Sequence, residues 1–318
     1  MRSISPQSIR GGRIFRRLLV THHRPIPTRP ARRVNIIACG LLLKVARHSG
    51  FAPRTMTTPS TGPDLRVVLL GTGTSAGVPT LGCTCDVCLS TDPHNKRMRC
   101  CAYIETCGRR ILIDCGTDLR TQAIANHITD VDMVLLTHTH ADHVNGMDDL
   151  RAYNMVHRHA INVYGQSDSL DDLRARFAYC FRPAPPGGGV PQLTLHPIEA
   201  DTDLVLEGVA VRPLTIFHGT LPILGFRIGR FAYLTDVSRI PEETFAALEG
   251  VEVLVTSALR RRPHPTHMCI SESVEVAKRI GARQTWFIHM CHDLDHDATN
   301  ATLPPGIALA YDGLSFDV

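Results

Sequence analysis

From Leu65 onward, short apolar runs recur along the chain, each stopped by a polar or glycine-rich segment. Leu65-Arg66-Val67-Val68-Leu69-Leu70 runs into Gly71-Thr72-Gly73. Similar runs lie at Ala102–Thr106, Arg110–Ile113, Met133–Leu136, Ile161–Tyr164, Val209–Ile216, Ile223–Ile228, Phe231–Leu234, Val253–Val255 and Thr285–Ile288. Runs of this length, rich in Val, Ile and aromatic residues, read as buried strands. Helical spacing of apolar positions fills several intervals, at about 118–126, 147–159, 169–181, 242–248 and 271–280. Strands opening each half, with helices interspersed, predict an α/β fold of two sheets covered outside by helices. No short solenoid-type period is present. The segment Pro183 to Pro191 breaks the pattern and reads as a loop, either a plain connection or a lid.

Composition changes this picture mainly at the N-terminus. Residues 1–63 carry eleven Arg, one Lys and no acidic side chain, leaving 22 basic against 30 acidic residues in 64–318. The division expected is therefore a basic leader, 1–63, and a globular domain, 64–318. An Arg-rich, acid-free start resembles an organelle transit peptide, which predicts a mitochondrial protein; a plain basic tail is the other reading. Met56 offers an internal start that would give a cytoplasmic form. No apolar run reaches the ~20 residues of a membrane span, the nearest being Val34–Ala46 with Asn35 and Lys44 inside it. A membrane partner is not expected. An acidic domain also weakens phosphate-driven nucleic-acid binding. Eleven cysteines without a secretory signal point to metal binding rather than a disulfide scaffold.

The chemistry concentrates in Thr137-His138-Thr139-His140-Ala141-Asp142-His143, directly after the run ending at Leu136. His-x-His followed by Asp-His offers nitrogen and oxygen donors of the kind zinc, iron and manganese accept. Three more donors stand at the ends of apolar runs: His218, Asp236 and His289. One such histidine is ordinarily a satisfied structural residue, but this serial set is a candidate two-metal centre. The glycine loop Gly71-Thr72-Gly73-Thr74-Ser75-Ala76-Gly77 lacks the dinucleotide spacing, and Pro79 follows where a helix should continue. It reads as a tight turn near the site.

This series resembles the metallo-β-lactamase fold superfamily, which implies a four-layer αββα sandwich of two mixed sheets. The resemblance implies that His138, His140 and His218 hold one metal, Asp142, His143 and His289 a second, and that Asp236 bridges them. Asp114 matches the family's aspartate behind the ligands, where it would orient a ligating imidazole. Cys83, Cys85 and Cys88 form a C-x-C-x2-C triplet that needs a fourth donor for a closed tetrahedral site; His292 is the best partner. The run Gly77–Cys88 is similar to the cyclic phosphate phosphodiesterases of bacterial phosphonate breakdown (the PhnP-like branch), which carry a structural zinc beside the catalytic pair. The resemblance spans roughly Leu65 to Val318. Its further histidine, a proton donor, corresponds to His267, with His264 as the rival.

The cofactors thus expected are two divalent metals, zinc or manganese, and one structural zinc. The expected activity is hydrolysis of a cyclic phosphate or small phosphodiester to a phosphomonoester, by a metal-activated bridging water. The partners expected are a small phosphorylated substrate and, as an oligomer, a second copy of the chain. Competing readings are a transfer-RNA 3′-processing nuclease, a thioesterase, and a non-catalytic zinc protein. Arg260-Arg261-Arg262 reads as a solvated charge run sooner than a phosphate clamp. His94, His127, His157, His159, His196 and His296 are assigned no role, most as surface residues. Cys100, Cys101, Cys107, Cys115, Cys180 and Cys269 are read as packed or incidental, and Cys291 as turned away from its ligand neighbours.

Overall fold

The computed structural model describes residues 65–183 and 189–318. The leader, with its reading as a mitochondrial transit segment, and the middle of the Pro183–Pro191 stretch lie outside them. Fourteen strands are present among the described residues: β1 (Arg66–Gly71), β2 (Cys101–Thr106), β3 (Arg109–Ile113), β4 (Met133–Leu135), β5 (Ile161–Gly165), β6 (Leu193–Pro197), β7 (Leu204–Leu206), β8 (Val209–His218), β9 (Leu221–Ile228), β10 (Phe231–Leu234), β11 (Val253–Ser257), β12 (Gln284–Ile288), β13 (Ile307–Leu309) and β14 (Leu314–Asp317). They form two seven-stranded sheets, ordered β14-β1-β2-β3-β4-β5-β6 and β13-β12-β11-β10-β9-β8-β7. Each sheet is antiparallel on one side and parallel on the other, the change falling at β3 in the first and β10 in the second. Two mixed sheets flanked by helices are the α/β sandwich that the apolar runs predict.

Alternation along the strands explains the layers. Val67, Leu69, Ile104, Ile111, Ile113 and Leu135 of the first sheet meet Val211, Phe226, Tyr233, Val253 and Val255 of the second in a central core. The alternate residues Val68, Leu70, Leu112 and Val134 pack outward on the helical segments through Leu119, Met147 and Leu150. On the other side, Leu214, Ile216, Ala232, Leu234 and Leu254 pack with Phe245 and Ala277 of the helices Glu242–Ala247 and Ile270–Ile280.

Four strands escape the pattern reading. β6, β7 and β13 are short or half-exposed edge strands, and β14 is the chain's last segment, paired with β1. Their register comes from long-range pairing that periodicity does not encode. The single helix expected over 147–159 is a one-turn 3-10 segment, Met147–Leu150, followed by the helix Arg151–His157, which ends at Arg158 with a left-handed φ of 62°. No helix among the described residues is long and apolar enough to cross a membrane.

Backbone hydrogen bonds join the strand ends that carry the chemistry. Leu224 N donates to Thr137 O across the two sheets, and Met290 and Thr72 are tied by Met290 N to Thr72 O. The Gly71–Gly77 loop is thereby a close-packed turn beside His289. A Cβ on Gly73 would lie 2.7 Å from the Arg97 carbonyl oxygen.

Candidate metal centre

Three of the residues singled out stand one or two positions past a strand in the left-handed region: Asp114 after β3 (φ 64°), Asp236 two residues after β10 (φ 55°) and His289 after β12 (φ 59°). Such a residue ends strand pairing and redirects its side chain, at a cost of about 1–3 kcal/mol. The His138–His140 loop leaves β4 and enters the short helix Ala141–Val144, which carries Asp142 and His143.

These segments converge. Asp142, His143, Asp236 and His289 each place a donor atom within 4.8 Å of the others, and all four are buried. His218, Asp236 and His267 form a second such group, so Asp236 belongs to both. His138 Nε2 lies 3.0 Å from His140 Nδ1. The His140 and His218 rings stand edge to face with centroids 5.2 Å apart. His143 Nε2 is 3.3 Å from Asp142 Oδ2 and 3.2 Å from Asp236 Oδ2, and His289 Nε2 is 3.0 Å from Asp236 Oδ1. Bonds of ~2.05 Å at a tetrahedral angle separate nitrogen or oxygen ligands by about 3.3 Å. The contacts match that spacing, yet His143 Nε2 and both ring nitrogens of His289 are buried without a hydrogen-bond partner. Nε2 lone pairs of His143 and His289 facing a common centre account for the spacing and for two of these three unpartnered nitrogens, so the residues fit a divalent-metal site.

Outer contacts fix the rings. Asp114, fully buried, accepts from Thr137 N (2.8 Å) and Thr137 Oγ1 (2.7 Å), and its Oδ2 is 2.6 Å from His143 Nδ1. His143 Nδ1–H therefore points at a carboxylate, leaving Nε2 free as a ligand. His218 Nδ1 is similarly 2.8 Å from the Thr266 carbonyl oxygen. Thr235 Oγ1 donates to Asp236 Oδ2 at 2.8 Å.

Electrostatics keep the carboxylates available. Burial disfavours charge on Asp236, but His289 and His143 hold its pKa well below the usual carboxylate range. Asp142 is likewise held at about 2, against its burial, by its hydrogen bond to His143. Burial pushes His138 well below the usual histidine range, so its imidazole stays neutral.

His267 lies inside the site. Its ring stacks on His289 (centroids 4.6 Å, interplanar angle 23°), and its Nδ1 is 3.9 Å from Asp236 Oδ1. Burial and His289 push its pKa down to about 3. His264 stands farther out, 5.2 Å from His267 between ring centroids, and its Nδ1 accepts from Thr266 N.

Cys83, Cys85, Cys88 and His292 also converge. Their sulfurs lie 3.1, 3.4 and 3.6 Å from His292 Nδ1, against about 3.6 Å between sulfur and nitrogen ligands of one zinc. The Cys88 backbone N–H pulls the Cys85 thiol down to about 6, which favours the thiolate a metal requires. Cys291 stays outside this set, its Sγ accepting from Asp293 N.

Sequence reasoning missed Thr137, Thr235 and the Thr266 carbonyl. Two of them carried a signal, a threonine directly before a ligand at a strand end. It also missed Arg97, which is 2% exposed and donates to the carbonyls of His94, Cys291 and Leu294 and to Asn95 Oδ1, bracing the loop that carries His292. Of the six histidines assigned no role, His296 is buried, at 6% exposure.

Two mixed sheets between helical layers, with histidines and aspartates gathered on the loops that join them, define a metal-dependent hydrolase of the β-lactamase fold. The family model for the beta-lactamase superfamily domain matches residues 109–290. The chain is 38% identical to a solved diphosphatase from the PhnP family, with a TM-score of 0.75 over 80% of this chain and 97% of that one. It is 35% identical to the ribonuclease Z of Methanopyrus kandleri, over 70% of this chain and 92% of that protein. It is 43% identical, over 79% of its length, to an octanoyltransferase of Porphyromonas gingivalis, of which it spans only about half, 51%. The chain belongs to the β-lactamase superfamily and, within it, to the PhnP-like branch.

Proposed function

We propose that the chain is a binuclear phosphodiesterase that hydrolyses a cyclic phosphate, a small phosphodiester or a diphosphate linkage. His138, His140 and His218 would hold one divalent ion, Asp142, His143 and His289 the other, and Asp236 would span the two. The observation that carries this reading is Asp236 itself, a buried carboxylate that converges with Asp142, His143 and His289 on one side and with His218 and His267 on the other. When bound, such a pair supplies Lewis acidity to phosphoryl oxygens and lowers the pKa of an attacking water. The chain's own part is to hold that arrangement rigid. Asp114 orients His143, and the Thr266 carbonyl orients His218. His267, beside Asp236 and His289, is the group assigned to the leaving oxygen, which it would meet with a ring N–H. Cys83, Cys85, Cys88 and His292 would hold a structural zinc that ties the loop before β2 to the one after β12.

The similarity to a PhnP-family diphosphatase supports a small phosphorylated substrate, and the acidic balance of residues 64–318 disfavours RNA. The 43% identical octanoyltransferase makes acyl chemistry the second reading. The test is turnover by the full chain, loaded with zinc or manganese, of cyclic phosphates, linear diesters, diphosphate diesters, transfer-RNA precursors, octanoyl thioesters and a β-lactam. Metal-dependent hydrolysis of a phosphorus substrate, abolished by Asp236→Asn, is expected. Turnover confined to thioesters or to RNA would replace the reading, and a single bound zinc with no turnover would remove it.

A further inference from the structure

Outside the two metal groups already described, a further set of ligating side chains converges. His94, His296 and Asp297 each place one donor atom within 4.8 Å of the others. His94 sits in the one-turn 3-10 segment Pro93–Asn95, whose cap Asp92 accepts from His94 N at 3.0 Å. His296 and Asp297 open the helix His296–Asn300. The two segments are pinned together, Asn95 Nδ2 donating to Asp295 Oδ2 (2.8 Å) and His296 N to Asn95 Oδ1 (2.9 Å).

The rings are placed but poorly bonded. His94 lies between His296 and Tyr311, with centroid distances of 4.5 and 4.4 Å. Its polar contact with Asp92 is 3.8 Å long. His296 Nδ1 is 3.3 Å from Asp297 Oδ1, and Asn300 Nδ2 is 3.3 Å from each of the two ring nitrogens. Charge-assisted hydrogen bonds close to about 2.7–2.9 Å, so these are loose contacts. A separation near 3.3 Å is instead that of two nitrogen or oxygen ligands on one tetrahedral ion.

We propose that His94, His296 and Asp297 form an additional divalent-metal site that takes zinc, its fourth position open to solvent. Two imidazoles and a carboxylate are the donor set of borderline ions. A bound ion would clamp the segment around His94, which follows the cysteine triplet, to the segment just past His292. Its effect is to rigidify the region around the cysteine set, independently of what the catalytic centre hydrolyses.

The test is equilibrium dialysis of the full chain, its other sites filled with zinc, against a buffered series of free zinc concentrations. The wild type should take up one zinc more than His94→Ala or Asp297→Asn. Its melting temperature should rise with added zinc while theirs does not, as mass action requires. The Asp297 side chain is 87% exposed, so Asp297→Asn should melt like the wild type without added zinc, whereas His94→Ala loses its ring contacts with His296 and Tyr311 and is read by its zinc-dependent shift alone. His127→Ala, an exposed histidine elsewhere, serves as the control and should keep the extra ion. Equal zinc counts in the wild type, His94→Ala and Asp297→Asn would overturn the site. So would an equal loss in His127→Ala, which would mark the uptake as unspecific.

Discussion

Replacing Asp114 by Asn changes one oxygen to an NH2 group and leaves the shape almost intact. The carboxylate accepts three hydrogen bonds, from Thr137 N, Thr137 Oγ1 and His143 Nδ1. An amide oxygen can keep Thr137 N, but the NH2 then faces the Thr137 hydroxyl and His143 Nδ1. The hydroxyl can rotate. The imidazole can satisfy an N–H donor only by accepting at Nδ1, which moves its proton to Nε2. That is the atom 3.3 Å from Asp142 and 3.2 Å from Asp236, so the variant exchanges a ligand lone pair for a hydrogen. Loss of an outer partner of a ligating histidine typically weakens metal affinity 10–100-fold, or about 1.4–2.7 kcal/mol. The measurement is metal content after dialysis against graded chelator, with turnover alongside. Activity should fall with occupancy and recover partly in excess metal, while the Cys83–Cys85–Cys88–His292 set keeps its ion. Unchanged affinity at the catalytic pair, in a variant that folds normally, would refute the tautomer argument.

Three further outcomes are expected. A Cβ on Gly116 would lie 1.9 Å from the Asp142 carbonyl oxygen, so Gly116→Ala must push away the turn that carries Asp142 and His143. It should cost about 1–3 kcal/mol in denaturant unfolding, with a larger relative loss of turnover; wild-type kinetics would contradict this. Cys85→Ser should lose one zinc per chain and lower the melting temperature, because such a site contributes folding energy directly; kcat should change little below the new transition, and an unaltered melt would count against the assignment. Asp312 is half-buried, and desolvation of its carboxyl pushes its pKa up to about 7 even though Thr72 and Met98 donate to it. The folded chain thus holds a proton that the unfolded chain has lost above pH ~4. This contribution is present in acid and is lost as pH rises through about 7. Denaturant midpoints of Asp312→Asn should show a flatter fall than the wild type over that window, the slope and not the offset being the readout.

Much of the site was legible because its donors sit where apolar runs stop. A run that ends in Thr-His, Thr-Asp or Ile-His announces both a strand terminus and a candidate donor, which is how His138, Asp236 and His289 read in the sequence. The cysteine triplet was legible from its spacing, and His292 from its place beside His289. The rest depends on which segments meet. The fully buried Arg97 reads as an ordinary surface cation until the carbonyls of residues 291 and 294 are brought to it. His296 reads as a surface histidine because nothing near it in the chain predicts that Asn95 and Tyr311 will cover it. β14 was unreadable for the same reason, its half-polar Leu-Ser-Phe-Asp being a strand only because β1 offers a free edge.

The left-handed residues show how backbone and chemistry constrain one another here. Asp114, Asp236 and His289 each take a positive φ within two residues of a strand's end, a conformation that bulky and β-branched side chains avoid. Asp, Asn and His are several-fold enriched among the non-glycine residues that accept it. The sharp turn lets a donor leave its strand end and turn toward the converging loops, where Asp114 meets Thr137 and His143, and Asp236 meets His143 and His289. The side chains that tolerate the turn are also those with oxygen or nitrogen lone pairs. Glycine would relieve the strain but remove the donor, and leucine would keep neither. The strain is therefore retained at three strand ends, and the central core between the sheets, with the two outer layers under the helices, supplies the stability that offsets it.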